Sequence, residues 1–215
     1  MPSFALIAEG ITDQVIIEKV IKVFYKSHGV GDVVVNSLQP TRDATDIARQ
    51  QEGDFGGWQQ VLEHCSIADN LHEAFAFNDY IVVHLDSDVS NNPDAGINSG
   101  LCLDDIVCQL EGLIEERIDS GILEAYCGRI ILIIAVHSTD CWLLPLFTSI
   151  SHERKAVRSC EEKLGRVVRR GNLYFKKDGP CYMDLVKNLK KKNHLDDMAS
   201  CSPSLKSFLE KLPVS

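Results

Sequence analysis

Asp86 and Asp88 stand at the end of Tyr80-Ile81-Val82-Val83-His84-Leu85, a run of apolar and β-branched residues that predicts a buried parallel strand. Two residues apart on an extended chain, the two carboxylates share a side for as long as the strand geometry continues. Carboxylates held together repel unless a cation or a proton lies between them. A hard ion such as Mg²⁺ takes oxygen ligands of this kind, keeps several waters and uses one or two carboxylates together with substrate phosphate. The bland alternative is a solvated turn whose Asp side chains cap the next segment.

Two other apolar runs end in the same way. Phe4-Ala5-Leu6-Ile7-Ala8 stops at Glu9-Gly10, and Ile130-Ile131-Leu132-Ile133-Ile134-Ala135-Val136 stops at His137-Ser138-Thr139-Asp140. Asp13 follows Glu9 by one helical turn and can face the same place. In a parallel sheet these ends lie on one edge, where open α/β sheets bind their ligands. Acids converging there need metal or protons. His84, inside the strand, reads as a satisfied core histidine, with ligation the lesser alternative. His137 is a candidate base or ligand. His137, Ser138 and Asp140 are too close in sequence for a hydrolase triad, and no Gly-x-Ser-x-Gly elbow occurs.

The elements that must position these groups can be read from hydrophobic periodicity. A helix capped at Thr12 carries Val15, Ile16, Val20 and Val23 on one face and stops at Gly29. Residues 32–38 read as a second strand. Residues 39–56 are polar loop with a turn of helix near Ala44–Gln50. A helix is expected from Gly57-Trp58 to about Ala68, a loop from Val89 to Gly100, and an amphipathic helix over Leu101–Ser120 with Ile106, Leu110, Leu113 and Ile114 inward. Trp58 and Trp142 read as packing residues. Beyond residue 150 the pattern is helical and basic, with only Leu173-Tyr174-Phe175 as a weak strand. The fold class is therefore α/β: a Rossmann-like parallel sheet of about four strands flanked by helices over residues 1–150. Residues 151–215 form a basic helical extension packed on it, not an independent domain.

Composition bounds the setting. No run of about 18 apolar residues occurs, so no membrane span is expected, and the N-terminus lacks the basic region of a signal peptide. Eight cysteines have no Cys-x-x-Cys spacing, which argues against zinc and for reduced, partly core-filling thiols in a cytoplasmic protein. The net charge of −9 hides a division. Residues 1–150 carry 7 Lys and Arg against 23 Asp and Glu, whereas residues 151–192 carry 13 against 5. An acidic body with one basic region suits metal-binding carboxylates beside a polyanion-binding segment; the alternative is a solvated helical surface. Lys190-Lys191-Lys192 reads as a solvated helix end.

Glu9-Gly10-Ile11-Thr12-Asp13 followed by Asp86-Ser87-Asp88 resembles the Toprim signature of topoisomerases, primases and several nucleases. The first block, Ala8 to Asp13, is especially similar to the overcoming-lysogenization-defect (OLD) nucleases. Ser138-Thr139-Asp140 resembles their Ser-x-Glu element with Asp in place of Glu. Gly56-Gly57-Trp58, Asp140-Cys141-Trp142-Leu143-Leu144 and the Ser204–Leu212 tail resemble small stand-alone Toprim-like proteins of bacteria and phages. The likeness covers most of residues 3–145. It implies Mg²⁺ or Mn²⁺ held by Glu9, Asp86 and Asp88, with Asp13 and Asp140 serving a second metal. Ser138, Arg169, Arg170, Lys176 and Lys177 then become candidates for contact with substrate, and Tyr174 and Phe175 for stacking on single-stranded bases. Ser90 departs from the longer Toprim form, which continues to a third Asp; this argues against a topoisomerase more than against hydrolysis.

The resemblance implies a metal-dependent nuclease acting on DNA or RNA, an effector in anti-phage defence or a toxin system. The partners expected are nucleic acid and a separate ATPase chain, since no Gly-x-x-x-x-Gly-Lys-Ser/Thr loop lies in these 215 residues. A homo-oligomer is left open. Two alternatives compete. One is a Toprim scaffold that binds nucleic acid or an ATPase without cutting. The other is a haloacid-dehalogenase-like phosphatase with Asp86 as nucleophile, disfavoured because two strands precede its loop.

Overall fold

Four short runs of β-branched and aliphatic residues become the strands: β1 (Ser3–Ile7), β2 (Val34–Gln39), β3 (Tyr80–Asp86) and β4 (Ile130–Ala135). They form one parallel sheet in the order β2-β1-β3-β4, flanked by helices, in a Rossmann-like α/β arrangement. The computed structural model describes residues 1–41, 57–98 and 100–214. The helical turn expected near Ala44–Gln50, and Gly56, lie outside the described residues.

The strand order makes β1 and β3 the pair between which the chain reverses its direction of travel across the sheet. From β1 the chain goes to β2 on one side, then returns past β1 to β3 on the other. Parallel sheets open a crevice at such a switch point, beyond the carboxyl ends of the strands. Phe4, Ala5, Leu6 and Ile7 pair with Tyr80, Ile81, Val82 and Val83. On the other side the β1–β2 register shifts between Leu6 and Ile7, just before Glu9. Such irregularities bend a strand and re-aim its end.

Contacts group residues Met1–Gln14 and Val33–Ile134 into one compact unit, and Val15–Asp32 with Ala135–Ser215 into another. In the first, alternation along the strands sends Ala5, Ile7, Ile81, Val83 and Leu85 into a single core with Val61, Leu62, Leu71, Phe75, Ile106, Leu110 and Ile114. The last seven residues come from α2 (Trp58–Ser66), α3 (Ala68–Phe77) and α4 (Leu103–Glu115). Trp58 packs against this core as expected. The helix expected to about Ala68 is α2, and a further helix that was not expected, α3, follows it after Ile67 in an extended conformation. Similarly, the expected helix to Ser120 stops at Glu115, and α5 (Ser120–Ala125) starts anew because the Asp119 carboxylate accepts from the Gly121 and Ile122 amides. The expected loop after β3 contains two 3₁₀ turns, Ser87–Asn91 and Pro93–Ala95.

Helix α1 (Ile11–Ser27) begins one residue ahead of Thr12 and ends in a Schellman motif. Gly29 has φ 74° there, and the Val30 amide reaches back to the Tyr25 carbonyl at 3.1 Å. The second unit also holds α6 (Asp140–Phe147), α7 (Ser151–Arg154), α8 (Cys160–Arg170), α9 (Gly179–Leu185), α10 (Lys192–Cys201) and α11 (Pro203–Lys211). No strand forms at Leu173-Tyr174-Phe175. Trp142 of α6 is fully buried, stacks with Phe208 of α11 and donates from Nε1 to Ser204 Oγ at 3.0 Å. Gly165 of α8 lets the Phe175 ring lie flat on the helix, since a Cβ there would stand 2.8 Å from Phe175 Cδ1.

One sequence expectation is corrected in this unit, and one residue is given a partner. Cys141 and Cys160 form a disulfide between α6 and α8, so not all eight cysteines are reduced thiols. Asp140, at the first position of α6, is buried, and Tyr182 of α9 donates its hydroxyl to Asp140 Oδ1 at 2.5 Å. Tyr182→Phe keeps the ring and removes this donor from the buried Asp140 side chain. It is expected to lower stability by about 1–3 kcal/mol, read from the urea midpoint. A midpoint equal to that of the parent would show that the bond contributes nothing to folding.

Candidate metal centre

Three ligand-bearing side chains of the first unit meet at the carboxyl ends of β1 and β3. Asp13, His84 and Asp86 each bring one ligand atom within 4.8 Å of the others. Period-2 alternation on β3 explains why His84 and Asp86 share a side while Leu85 turns into the core. The strand stops at Asp86, and the chain then enters the 3₁₀ turn Ser87–Asn91. Asp88 therefore sits in that turn, half-buried, and is not one of the three. The condition on which Asp86 and Asp88 were to share a side is not met.

Asp13 comes from the first turn of α1, where the exposed amide dipoles favour a carboxylate. Gly10 gives it room: a Cβ at position 10 would stand 3.0 Å from Asp13 Oδ2. Gln14 anchors the same turn, its Nε2 donating to the Pro40 carbonyl at 2.7 Å and its amide to the Gly10 carbonyl at 3.1 Å.

Glu9 completes the arrangement. Its Oε1 accepts from the Asp86 amide at 2.5 Å, joining the end of β1 to the end of β3. Its backbone carbonyl accepts from the Gly57 amide at 2.8 Å. Burial, and after it the neighbouring Asp86 charge, pushes the Glu9 carboxyl up to about 8. The positive side of His84 and the Asp86 amide offset part of this rise, and Asp13 adds a little to it. In the metal-free protein Glu9 is therefore protonated at neutral pH.

His84 is the residue that sequence reasoning assigned to a satisfied core. It is 0% exposed, and neither ring nitrogen has a hydrogen-bond partner. Nε2 lies 3.1 Å from Asp86 Oδ1, an ion-pair distance without hydrogen-bond alignment. The signal was available as His84-Leu85-Asp86, a ligand pair at strand spacing immediately before the end of the strand.

No family model, curated protein or solved structure matches this chain.

The donor set therefore has to be judged on its own chemistry. Two ligands at right angles around an ion with bonds of about 2.0–2.2 Å stand about 2.8–3.1 Å apart. The His84–Asp86 separation of 3.1 Å falls there. An imidazole with no hydrogen bond, two carboxylates and a reluctantly ionised third are groups whose charge and lone pairs a divalent cation would satisfy together. The residues fit such an ion.

The other expected site residues lie in the second unit. His137, with a left-handed φ of 61°, turns the chain out of β4 toward Ser138 and Asp140. The Ser138 amide bonds the Val136 carbonyl, and its own carbonyl accepts from Cys141. The expected phosphate-binding cations are mostly engaged. Arg170 makes a two-pronged pair with Glu153, holding that carboxyl down to about 2 with help from Thr148. Lys177 pairs with Glu161 and Lys176 with Asp178, while the Arg169 guanidinium lies over the Phe175 ring. Phe175 is buried and packs; Tyr174 is 73% exposed.

A carboxyl whose folded pKa stands above its unfolded value of 4.5 binds more proton in the folded chain. The stability it contributes is full below pH about 4.5 and is lost as pH rises to about 8. In chelator, the urea-derived stability should fall by on the order of a few kcal/mol across that window. Glu9→Gln should flatten that decline, and parallel profiles for the two proteins would contradict the assignment. Separately, Gly10→Ala should displace the Asp13 carboxylate and weaken Mn²⁺ binding by about tenfold or more, measured by calorimetry.

Proposed function

We propose that this chain is a divalent-metal-dependent nuclease with a Toprim-like centre, hydrolysing phosphodiester bonds of DNA or RNA. The observation that carries it is the convergence of Glu9, Asp13, His84 and Asp86 at the β1–β3 switch point. The order of the motifs supports the same reading: an acid and glycine close the first strand, and an acid closes the third.

The chain's own residues divide the work. Asp13 and Asp86 would hold Mg²⁺ or Mn²⁺, with Gly10 and the first turn of α1 fixing the direction of Asp13. When bound, the ion polarises a phosphoryl oxygen and lowers the pKa of its water. Glu9 has Oε1 committed to the Asp86 amide, so Oε2 is the atom that carries its proton. Buried beside Asp86, Glu9 is placed to exchange a proton with water or a leaving oxygen at this centre.

Substrate must be drawn to this acidic centre by cations. Among the described residues, the exposed Lys155, Arg158, Arg166, Lys190, Lys191 and Lys192 have no carboxylate partner. They are better placed to exchange counterions for a phosphate backbone than the paired Arg170, Lys176 and Lys177. Exposed Tyr174 can stack on an unpaired base. A role in anti-phage defence, with a separate ATPase as partner, extends the proposal by resemblance.

Incubation with plasmid, single-stranded DNA and transfer RNA, in Mg²⁺ or Mn²⁺ and in chelator, tests the reading. Cleavage of at least one substrate is expected with metal only. Asp86→Asn and Asp13→Asn should slow it by more than about a hundredfold, beyond what loss of an outer partner does. Salt-dependent binding with no cleavage would instead make the chain a scaffold. Phosphate release from a small ester alone would make it a phosphatase.

A further inference from the structure

His84 is out of place in a site built for Mg²⁺. Hard ions of that kind are held by carboxylates, carbonyls and water, whereas imidazole suits transition metals such as Fe, Ni, Cu and Zn. The side chain is 0% exposed, on the strand that also carries Asp86. Burying an imidazole with no hydrogen bond is unfavourable, and an apolar residue of similar size would avoid that cost. Both ring nitrogens are without a hydrogen-bond partner, and one of them faces a carboxylate oxygen at 3.1 Å. An imidazole nitrogen beside two carboxylate oxygens is half of a coordination shell already assembled.

We propose that His84 is a direct nitrogen ligand of the bound ion, giving a centre of two aspartates and one histidine that selects first-row transition ions, of which Mn²⁺ is the weakest-binding and the magnetic probe, over Mg²⁺. The proposal rests on the metal-centre reading above and adds the class of ion and the residue that chooses it. Asp13 and Asp86 supply the negative charge that any divalent ion needs. The nitrogen supplies the preference, because affinity for mixed nitrogen and oxygen sites rises along the transition series while Mg²⁺ gains little from imidazole. Glu9, hydrogen-bonded to the Asp86 amide, fixes where Asp86 stands and keeps the two strand ends in register. Half-buried His64, by contrast, stands on α2 in no such ligand group among the described residues, and it carries no such inference.

The full chain, stripped of metal and reloaded with Mn²⁺, gives the test by pulsed electron paramagnetic resonance. The expected result is a ¹⁴N modulation on the Mn²⁺ signal that changes to the ¹⁵N pattern when the protein is grown on ¹⁵N-imidazole histidine. This readout uses the native sequence, so it stands even if a variant misfolds. Equilibrium dialysis should show Mn²⁺ binding at least about tenfold tighter than Mg²⁺, and His84→Asn should narrow that gap to about threefold or less. Mn²⁺ bound tightly with no histidine nitrogen coupling would overturn the proposal and leave the nuclease reading intact. Nitrogen coupling in a protein that cuts no nucleic acid would do the reverse. Failure to bind any divalent ion sinks both.

Discussion

Like charges crowded into a poorly solvated corner set the terms for the rest of this molecule. Glu9, Asp13 and Asp86 approach one another where β1 and β3 end, with His84 buried among them. Two unit charges about 4 Å apart interact by about 4 kcal/mol at an effective dielectric constant near 20. A folded chain of ordinary stability has little more than that to spare twice over. The protein answers in the one way open to it without an ion, by leaving a proton on Glu9. Every neighbouring device serves the same corner: the Asp86 amide on Glu9, the missing side chain at Gly10, and the register shift that ends β1.

Much of the sheet was legible because a parallel strand buried on both faces must be apolar throughout. Ile81–Leu85 and Ile130–Ala135 read as strands for that reason, and their acidic ends read as one edge. Helix divisions were harder. Ile67 breaks the chain between α2 and α3 with no glycine or proline to announce it. Leu71, Ala74 and Phe75 carried the helical spacing that identifies α3. The restart at α5 was written in Asp119-Ser120-Gly121, a cap signal inside what reads as one long helix.

At the site, the acids were legible and their partnerships were not. Composition counts charges; only packing pairs them. The basic stretch looked like a polyanion surface, yet Arg170 is turned onto Glu153 and Lys177 onto Glu161. Asp140 read as an acid following a strand, and nothing in its surroundings along the chain signals that the hydroxyl of Tyr182, 42 residues away, donates to it. Asp88 failed differently: its place depended on whether the strand ran two residues further, and strand ends are the least determined feature of any sequence reading. His84 was missed because a histidine in an apolar run is ordinarily a core residue with its hydrogen bonds made, a property visible only in coordinates.

Stability alone gives no account of this corner. A core position on β3 that carried Leu or Phe in place of His84 would lose no hydrogen bond and would gain apolar burial. Replacing buried ionisable clusters by apolar groups of similar volume is often neutral or stabilising. The same substitutions at Asp13 and Asp86 would remove the repulsion that adds to burial in raising the Glu9 carboxyl. A sequence that obeys every local rule along β1, β3 and α1, and then breaks them together at four positions meeting in space, has a local reason for doing so. The ion proposed above would supply one, since a ligand that neutralises the acids and takes an imidazole lone pair would remove all of these penalties at once.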